Sequence, residues 1–380
     1  MVLGLLPEIR GGLAGLALTG QHSRFIDGYL KPYVRAFDAV RYFSYLPESL
    51  EQHTEDVELR ARVRLLPGGG WHPWLYTLFM AIRYRRELRE CSVLRVFQVT
   101  GVIPALVARR WLGVPFVTTY GFWYSELARS VMTGSLRRAV AALGLRAADA
   151  VIVPTTELAA HVEPLVRDRA TIHLIPNGVD TGRFAPAAHE RRGAKKILYV
   201  GRLSPEKNLE ALIVALAKLV GRFDLHLTLV GAGPLRARLE TVATELGVAL
   251  EIVPFVDHRA LPAFYTAADA FVLPSLTEGH PKVLLEAMSC GRPCIASDVG
   301  GNRSILAGRD AGLLFDPADP GALASAIERV LTQEGLARRL GDRARAEVTT
   351  RYDLAVLVAR EIDLLQRVAE AGRRGRSRSA

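Results

Sequence analysis

Two glutamates eight residues apart, Glu278 and Glu286, are the pair in this chain best placed to do chemistry. Residues 270–274 are a short apolar run of strand type, and 275–280 are a polar loop containing Gly279. Pro281 opens a helix, because its fixed φ suits the first turn and its missing N–H has no partner there. Gly291 closes that helix and Pro293 stops it, ahead of a second strand-like run at 294–297. Glu278 then lies in the loop and Glu286 about one and a half turns into the helix, which aims both at one crevice. The first free N–H groups of the helix, after Pro281 and up to residue 284, carry partial positive charge and suit a phosphate lying between the carboxylates. A carboxylate that reaches past bound phosphates is suited to accept hydrogen bonds from sugar or ribose hydroxyls. The spacing therefore points to a nucleotide-sugar site.

The string Glu278-Gly-His-Pro-x4-Glu286-Ala-Met, followed by Gly291-x-Pro293, resembles the Glu-x7-Glu signature of retaining family 4 glycosyltransferases. These are α/β enzymes of GT-B architecture, with two Rossmann-like domains whose parallel sheets flank a cleft. A second stretch, Gly201-Arg202-Leu203 with Lys207-Asn208 after a three-residue gap, is similar to the family's GRL-x3-KN element. The resemblance implies that Arg202 and Lys207 contact the donor diphosphate. A departing nucleotide diphosphate gains negative charge in the transition state, so fixed cations stabilise it more there than in the ground state.

Gly231, Gly233 and Pro234 resemble the family's glycine turn near the donor. Residues 299–302 resemble a second glycine turn, with Ser304 where an acidic residue is common. On this resemblance Glu286 holds the ribose and Glu278 contacts the transferred sugar. The backbone of Gly279, His280, Pro281, Lys282 and Val283 holds the diphosphate together with Gly201, Arg202 and Lys207. The implied reaction moves a sugar from a nucleotide sugar to a glycan, glycolipid or other acceptor, with retention of anomeric configuration. Two alternatives stay open: a GT-B epimerase or hydrolase that consumes donor without an acceptor, and a non-catalytic lipid- or glycan-binding relative.

Around this centre the apolar pattern alternates between strand and helix, which argues for parallel sheets covered by helices. At 380 residues the chain exceeds what one core usually supports. The segment 176–193 trades periodicity for Pro, Gly, Ala and charge, and its Pro176-Asn177-Gly178 is similar to the family's interdomain segment. The expected domains are residues 1–176 on the acceptor side and 177–350 on the nucleotide-sugar side. A C-terminal helix at 351–370 crosses back to the first domain in related enzymes, and 371–380 is a basic tail expected to be disordered.

The first strand has two readings. Either 13–19 is the strand, with the helix at 22–36 after it, or 2–9 is the strand and Gly11-Gly12 is the glycine loop that family members carry near the acceptor. The first is favoured, because a helix of about 14 residues then leads into the strand-like 39–45. Tyr120 stands where the family often has an acceptor-side histidine, so Tyr120 and Gly121 join Gly11 and Gly12 as acceptor-side candidates. The cluster Tyr120 to Tyr124 suits either sugar stacking or the core.

Composition limits the partners. The net charge of +10 is concentrated: residues 1–180 hold 21 Lys and Arg against 16 Asp and Glu, and the last ten residues add four arginines. No zinc spacing, RNA-binding motif or zipper accompanies that charge, which argues against nucleic acid. An anionic membrane surface fits better, through residues 71–89, whose aromatics and aliphatics end in four arginines, and through the basic tail. The competing reading of 71–89 is an amphipathic helix packed on the domain's own sheet. Three cysteines without a CxxC suit a reducing compartment, and no apolar run approaches a membrane span. The expectation is a cytoplasmic protein, peripheral on the inner membrane face. No Asp-x-Asp pair occurs, so no metal or other cofactor is expected.

Overall fold

The computed structural model describes residues 1–18, 20–121, 131–187, 193–254 and 256–379. The chain divides into two compact units, residues 1–176 with 356–380, and residues 177–355.

The first unit is built on seven strands: β1 Val2–Leu6, β2 Ala39–Phe43, β3 Val63–Leu66, β4 Val93–Val96, β5 Phe116–Thr119, β6 Ala150–Val153 and β7 Ile172–Leu174. They lie in the order β3-β2-β1-β4-β5-β6-β7, all parallel. A parallel sheet needs both faces covered, and β4 and β6 are buried at every position. The favoured first strand is thereby corrected. Residues 2–6 form β1, an interior strand between β2 and β4, and Leu13–Leu18 is a helix. Apolar periodicity does not separate a short strand from a short helix. The helix wins here because the buried Glu48 carboxylate accepts from Leu13 N (2.9 Å) and Ala14 N (2.6 Å), the first donors of that turn.

The helix Val131–Ala147 runs through Gly134 without a break. Phe122, Trp123 and Tyr124 of the expected aromatic cluster lie outside the described residues.

The second unit has six strands: β8 Lys195–Val200, β9 Leu225–Val230, β10 Ala249–Val253, β11 Ala270–Leu273, β12 Cys294–Ser297 and β13 Leu313–Phe315. Their order is β10-β9-β8-β11-β12-β13, again all parallel. The order reverses direction between β8 and β11, and in such sheets ligands bind beyond the strand carboxyl ends at that reversal. One continuous core fills the unit, with Phe271, Leu273, Leu284 and Leu285 among its fully buried members. Cys290 and Cys294 belong to it, and burial pushes the Cys290 thiol up to about 12, as suits packing rather than ligation.

The last helix, Leu354–Ser379, differs from the expected disordered tail, because its helical conformation continues to Ser379. Gly372 sits so close to Pro115 that a Cβ there would fall 2.6 Å from Pro115 Cγ, and Arg373 Nη2 donates to Ser92 Oγ at 3.1 Å. Those contacts hold the helix against the first unit beyond the point where its apolar face ends.

Candidate active site in the second unit

The residues singled out in the sequence gather around the carboxyl ends of β8, β9 and β11. Gly201 ends β8, and the turn Pro205–Lys207 follows it. Gly231 ends β9 at φ +149°, and a Cβ there would lie 1.9 Å from the Gly201 carbonyl oxygen. Gly233 is equally confined, with Leu203 O 2.3 Å from where its Cβ would be. The two loops therefore interleave only because both positions lack side chains. Leu203 N donates to Ala232 O at 3.0 Å, and Leu276 N donates to Glu206 O at 2.9 Å, which ties the loop after β11 to the same group.

Lys207 and Glu278 meet across 71 residues of sequence: Nζ lies 2.7 Å from Oε1. Ser275 Oγ donates to the same carboxylate oxygen at 2.7 Å. Asn208, in the left-handed conformation at φ +53°, starts the helix Leu209–Ala217 directly behind Lys207. Arg202 is the exposed cation of the set, 72% accessible, with Nη2 2.9 Å from Glu206 Oε1. Glu206 in turn accepts from Ser204 Oγ at 2.7 Å, so this glutamate steers the guanidinium. Sequence reasoning passed over Glu206, which lies inside the GRL-x3-KN element, and Ser275, three residues ahead of Glu278.

Glu286 is held by side chains far from it in sequence. Its carboxylate is only 1% exposed, with Oε1 3.0 Å from His258 Nε2 and Oε2 accepting from Tyr265 OH at 2.9 Å. Phe184 packs on both partners, its ring centroid 5.0 Å from His258 and 5.9 Å from Tyr265. The helix Lys282–Ser289 that carries Glu286 starts one residue later than expected, because Pro281 is extended (ψ 117°) and forms its N-cap. His258 and Tyr265 carry no local motif, and only the fold brings them to Glu286.

His280 is buried, with its ring 5.5 Å from that of Tyr352 and no hydrogen-bond partner at Nδ1. Its carbonyl accepts from Asn177 Nδ2 at 2.7 Å. Burial, then the charges of Lys282 and Arg309, push the imidazole from 6.5 down to about 3. A depressed histidine contributes stability that is present above pH 6.5 and is lost as the pH falls towards 3, where only the unfolded chain takes the proton. Between pH 7.5 and 5.0 this amounts to about 2 kcal/mol at one proton per site. Urea unfolding of the second unit is expected to show that loss in the wild type and not in His280→Asn; parallel losses in both would disprove it.

The acceptor-side candidates lie in the first unit. Gly12 is confined by Glu48 Oε1 and Ser44 Oγ, 2.5 and 2.6 Å from an added Cβ, and the Gly11 carbonyl accepts from Tyr45 N at 3.0 Å. Tyr120 is 4% exposed and packs among Val99, Leu158 and Val162, with its ring 5.6 Å from that of His161. Gly121 follows, against Gln98.

Two all-parallel α/β units, one carrying paired ionic side chains and glycine turns at its strand carboxyl ends, define the GT-B class. Comparison with known proteins makes this specific. Residues 183–347 match Glycosyl transferases group 1, and residues 33–183 match Glycosyltransferase Family 4. The chain belongs to this glycosyltransferase family. It is 36% identical over 263 residues to the GDP-mannose-dependent alpha-mannosyltransferase of Mycolicibacterium smegmatis, covering 65% of each chain. The chain spans from 41% to 65% of the length of the first curated relatives it matches. Among solved structures it resembles sucrose-phosphate synthase from Thermosynechococcus elongatus, with a TM-score of 0.80 at 23% identity over 98% of this chain and 100% of that one. It also resembles Anabaena HepE in complex with UDP, with a TM-score of 0.77 at 19% identity over 96% and 100%.

Proposed function

We propose that this protein transfers a glycosyl group from a nucleotide sugar to a glycan or lipid-linked acceptor, retaining anomeric configuration and using fixed side-chain cations in place of a metal. The observation that carries the reading is the Lys207–Glu278 pair, held by Ser275 beside the start of the helix Lys282–Ser289. Those helix N–H groups and Lys207 hold the diphosphate, and the exposed Arg202 reaches it from solvent. During transfer the bond between the anomeric carbon and the β-phosphate oxygen breaks, and the leaving diphosphate keeps the electron pair. The acceptor oxygen bonds to the anomeric carbon and its proton is released. Glu278 faces the sugar, while Glu286, held by His258 and Tyr265, accepts from the ribose hydroxyls. The relative that uses GDP-mannose and the HepE complex with UDP support a nucleotide-diphosphate donor.

The test is a thermal-shift screen against UDP-, GDP-, ADP- and TDP-sugars. One donor at 100 times its Kd should add about 2.7 kcal/mol of stability. Glu286→Ala, compared with its own unliganded melting temperature because the change opens a buried site, should lose that increment. No shift with any donor in folded protein would count against the reading. NMR of the anomeric proton in the first product formed then decides retention.

A further inference from the structure

We infer that the helix Pro73–Arg83 is a docking face for an anionic phospholipid bilayer, laid in the plane of the membrane surface. The helix is apolar on two sides. Its inner side, Tyr76, Thr77, Met80 and Ala81, is buried in the core of the first unit. Its outer side is equally apolar: Trp71, Trp74, Leu75, Leu78, Phe79 and Ile82 are each between 39% and 57% exposed. At 3.6 residues per turn the outer helical residues fall within an arc of about 140°, so they form one stripe rather than scattered positions. Trp71, just ahead of the helix, is folded onto that stripe with its ring 5.8 Å from Phe79. Contiguous exposed apolar surface of this kind, with two indoles, marks a contact surface rather than ordinary solvent exposure.

Charge identifies the occupant. The helix turns at Tyr84 (φ −108°, ψ 32°) into the short helix Arg85–Glu90, and Arg83, Arg85, Arg86 and Arg89 are all exposed there. Residues 71–86 contain no Asp or Glu. The acids that follow are matched elsewhere, Glu87 by Arg64 (3.4 Å) and Glu90 by Arg41 (2.9 Å), and so do not offset that cluster. Arg373 Nη2, 3.1 Å from Ser92 Oγ, brings the basic end of the last helix next to the residue three positions after Arg89. An apolar stripe edged by four cations suits acyl chains under phosphate headgroups. A second copy of the chain suits it less, because a two-fold contact sets the same arginines against each other. No helix among the described residues is long and apolar enough to cross a membrane, so the contact is peripheral.

Co-sedimentation with phosphatidylcholine vesicles, with and without phosphatidylglycerol, tests this without any sugar donor, so it stands or falls separately from the transferase reading. The wild type should bind the anionic vesicles at least about tenfold more tightly than the neutral ones. At about fivefold per arginine, Arg85→Gln/Arg86→Gln/Arg89→Gln should weaken anionic binding on the order of 100-fold. Trp74→Ser/Leu78→Ser/Phe79→Ser should abolish it, with circular dichroism and melting temperature unchanged because these side chains are exposed. Undiminished sedimentation of either folded variant, or none of the wild type, would overturn the proposal. So would a wild-type dimer in light scattering that the serine variant turns into a monomer, since the stripe would then belong to a second copy.

Discussion

Lys207→Ala is expected to lower kcat/KM by about 2–4 kcal/mol, or roughly 30- to 1,000-fold, the usual loss for one charge-stabilising contact at a reacting centre. Most of the loss should fall on kcat, since an ammonium facing the leaving diphosphate is worth more as that group gains charge. The structure adds a second consequence. Glu278 is nearly buried and has Lys207 at 2.7 Å, so the alanine variant leaves a carboxylate with Ser275 but no matched cation. Some destabilisation must accompany the kinetic loss, because an uncompensated buried charge is costly. The double variant Lys207→Ala/Glu278→Gln separates the two effects. Its neutral amide still accepts from Ser275, so the melting temperature should recover while turnover stays low. A folded Lys207→Ala enzyme with near-wild-type kcat/KM would remove Lys207 from the mechanism.

The contrast between Lys207 and Glu286 shows what the sequence made legible. Both stood in recognisable strings, and their elements fell where period and punctuation put them: Gly291, at φ +67°, does end the helix that Glu286 rides on. What the strings did not carry was the partner of each side chain. Lys207 finds Glu278 across 71 residues, and Glu286 finds His258 and Tyr265 on a different loop and helix. Such contacts follow from strand order, which no local pattern states. The misread first strand has a related cause. Residues 13–18 are apolar enough for either element, and the deciding group, Glu48, lies 35 positions away from Leu13. The edge strands β3 and β7 are not legible because Arg64 and His173 interrupt runs of only four and three residues, unlike the unbroken apolar run of β11.

The stripe on Pro73–Arg83 was legible in composition but not in orientation. Its sequence fits a helix on its own sheet and a helix in a membrane surface alike, and the structure shows that one helix has both faces. Tyr120, placed by its position after β5, offered both sugar stacking and the core, and its ring is buried beside His161.

Glu361→Ala is expected to cost the first unit about 3–5 kcal/mol, the range for breaking a buried ion pair from one side. Glu361 lies on the helix Leu354–Ser379, and its Oε1 accepts from Arg95 Nε on β4 and from Tyr33 OH, both at 2.5 Å. All three side chains are buried, and burial together with the Glu361 charge holds the Tyr33 hydroxyl well above its ordinary range, so it stays a donor. Arg95 also donates to Val96 O at 2.7 Å and lies 5.1 Å from the Phe97 ring centre, so it has no route to solvent once Glu361 is gone. Two units make a single two-state fit unsafe, and the urea transition should be followed by hydrogen exchange at β4 and β5. A paired substitution, Arg95→Met/Glu361→Leu, removes both charges at similar volume. It should restore most of the stability, because the penalty in the single variant comes from the stranded guanidinium more than from the lost attraction. If Glu361→Ala moves protection of β4 by less than about 0.5 kcal/mol, the triad is incidental and apolar packing alone holds the last helix to the first unit.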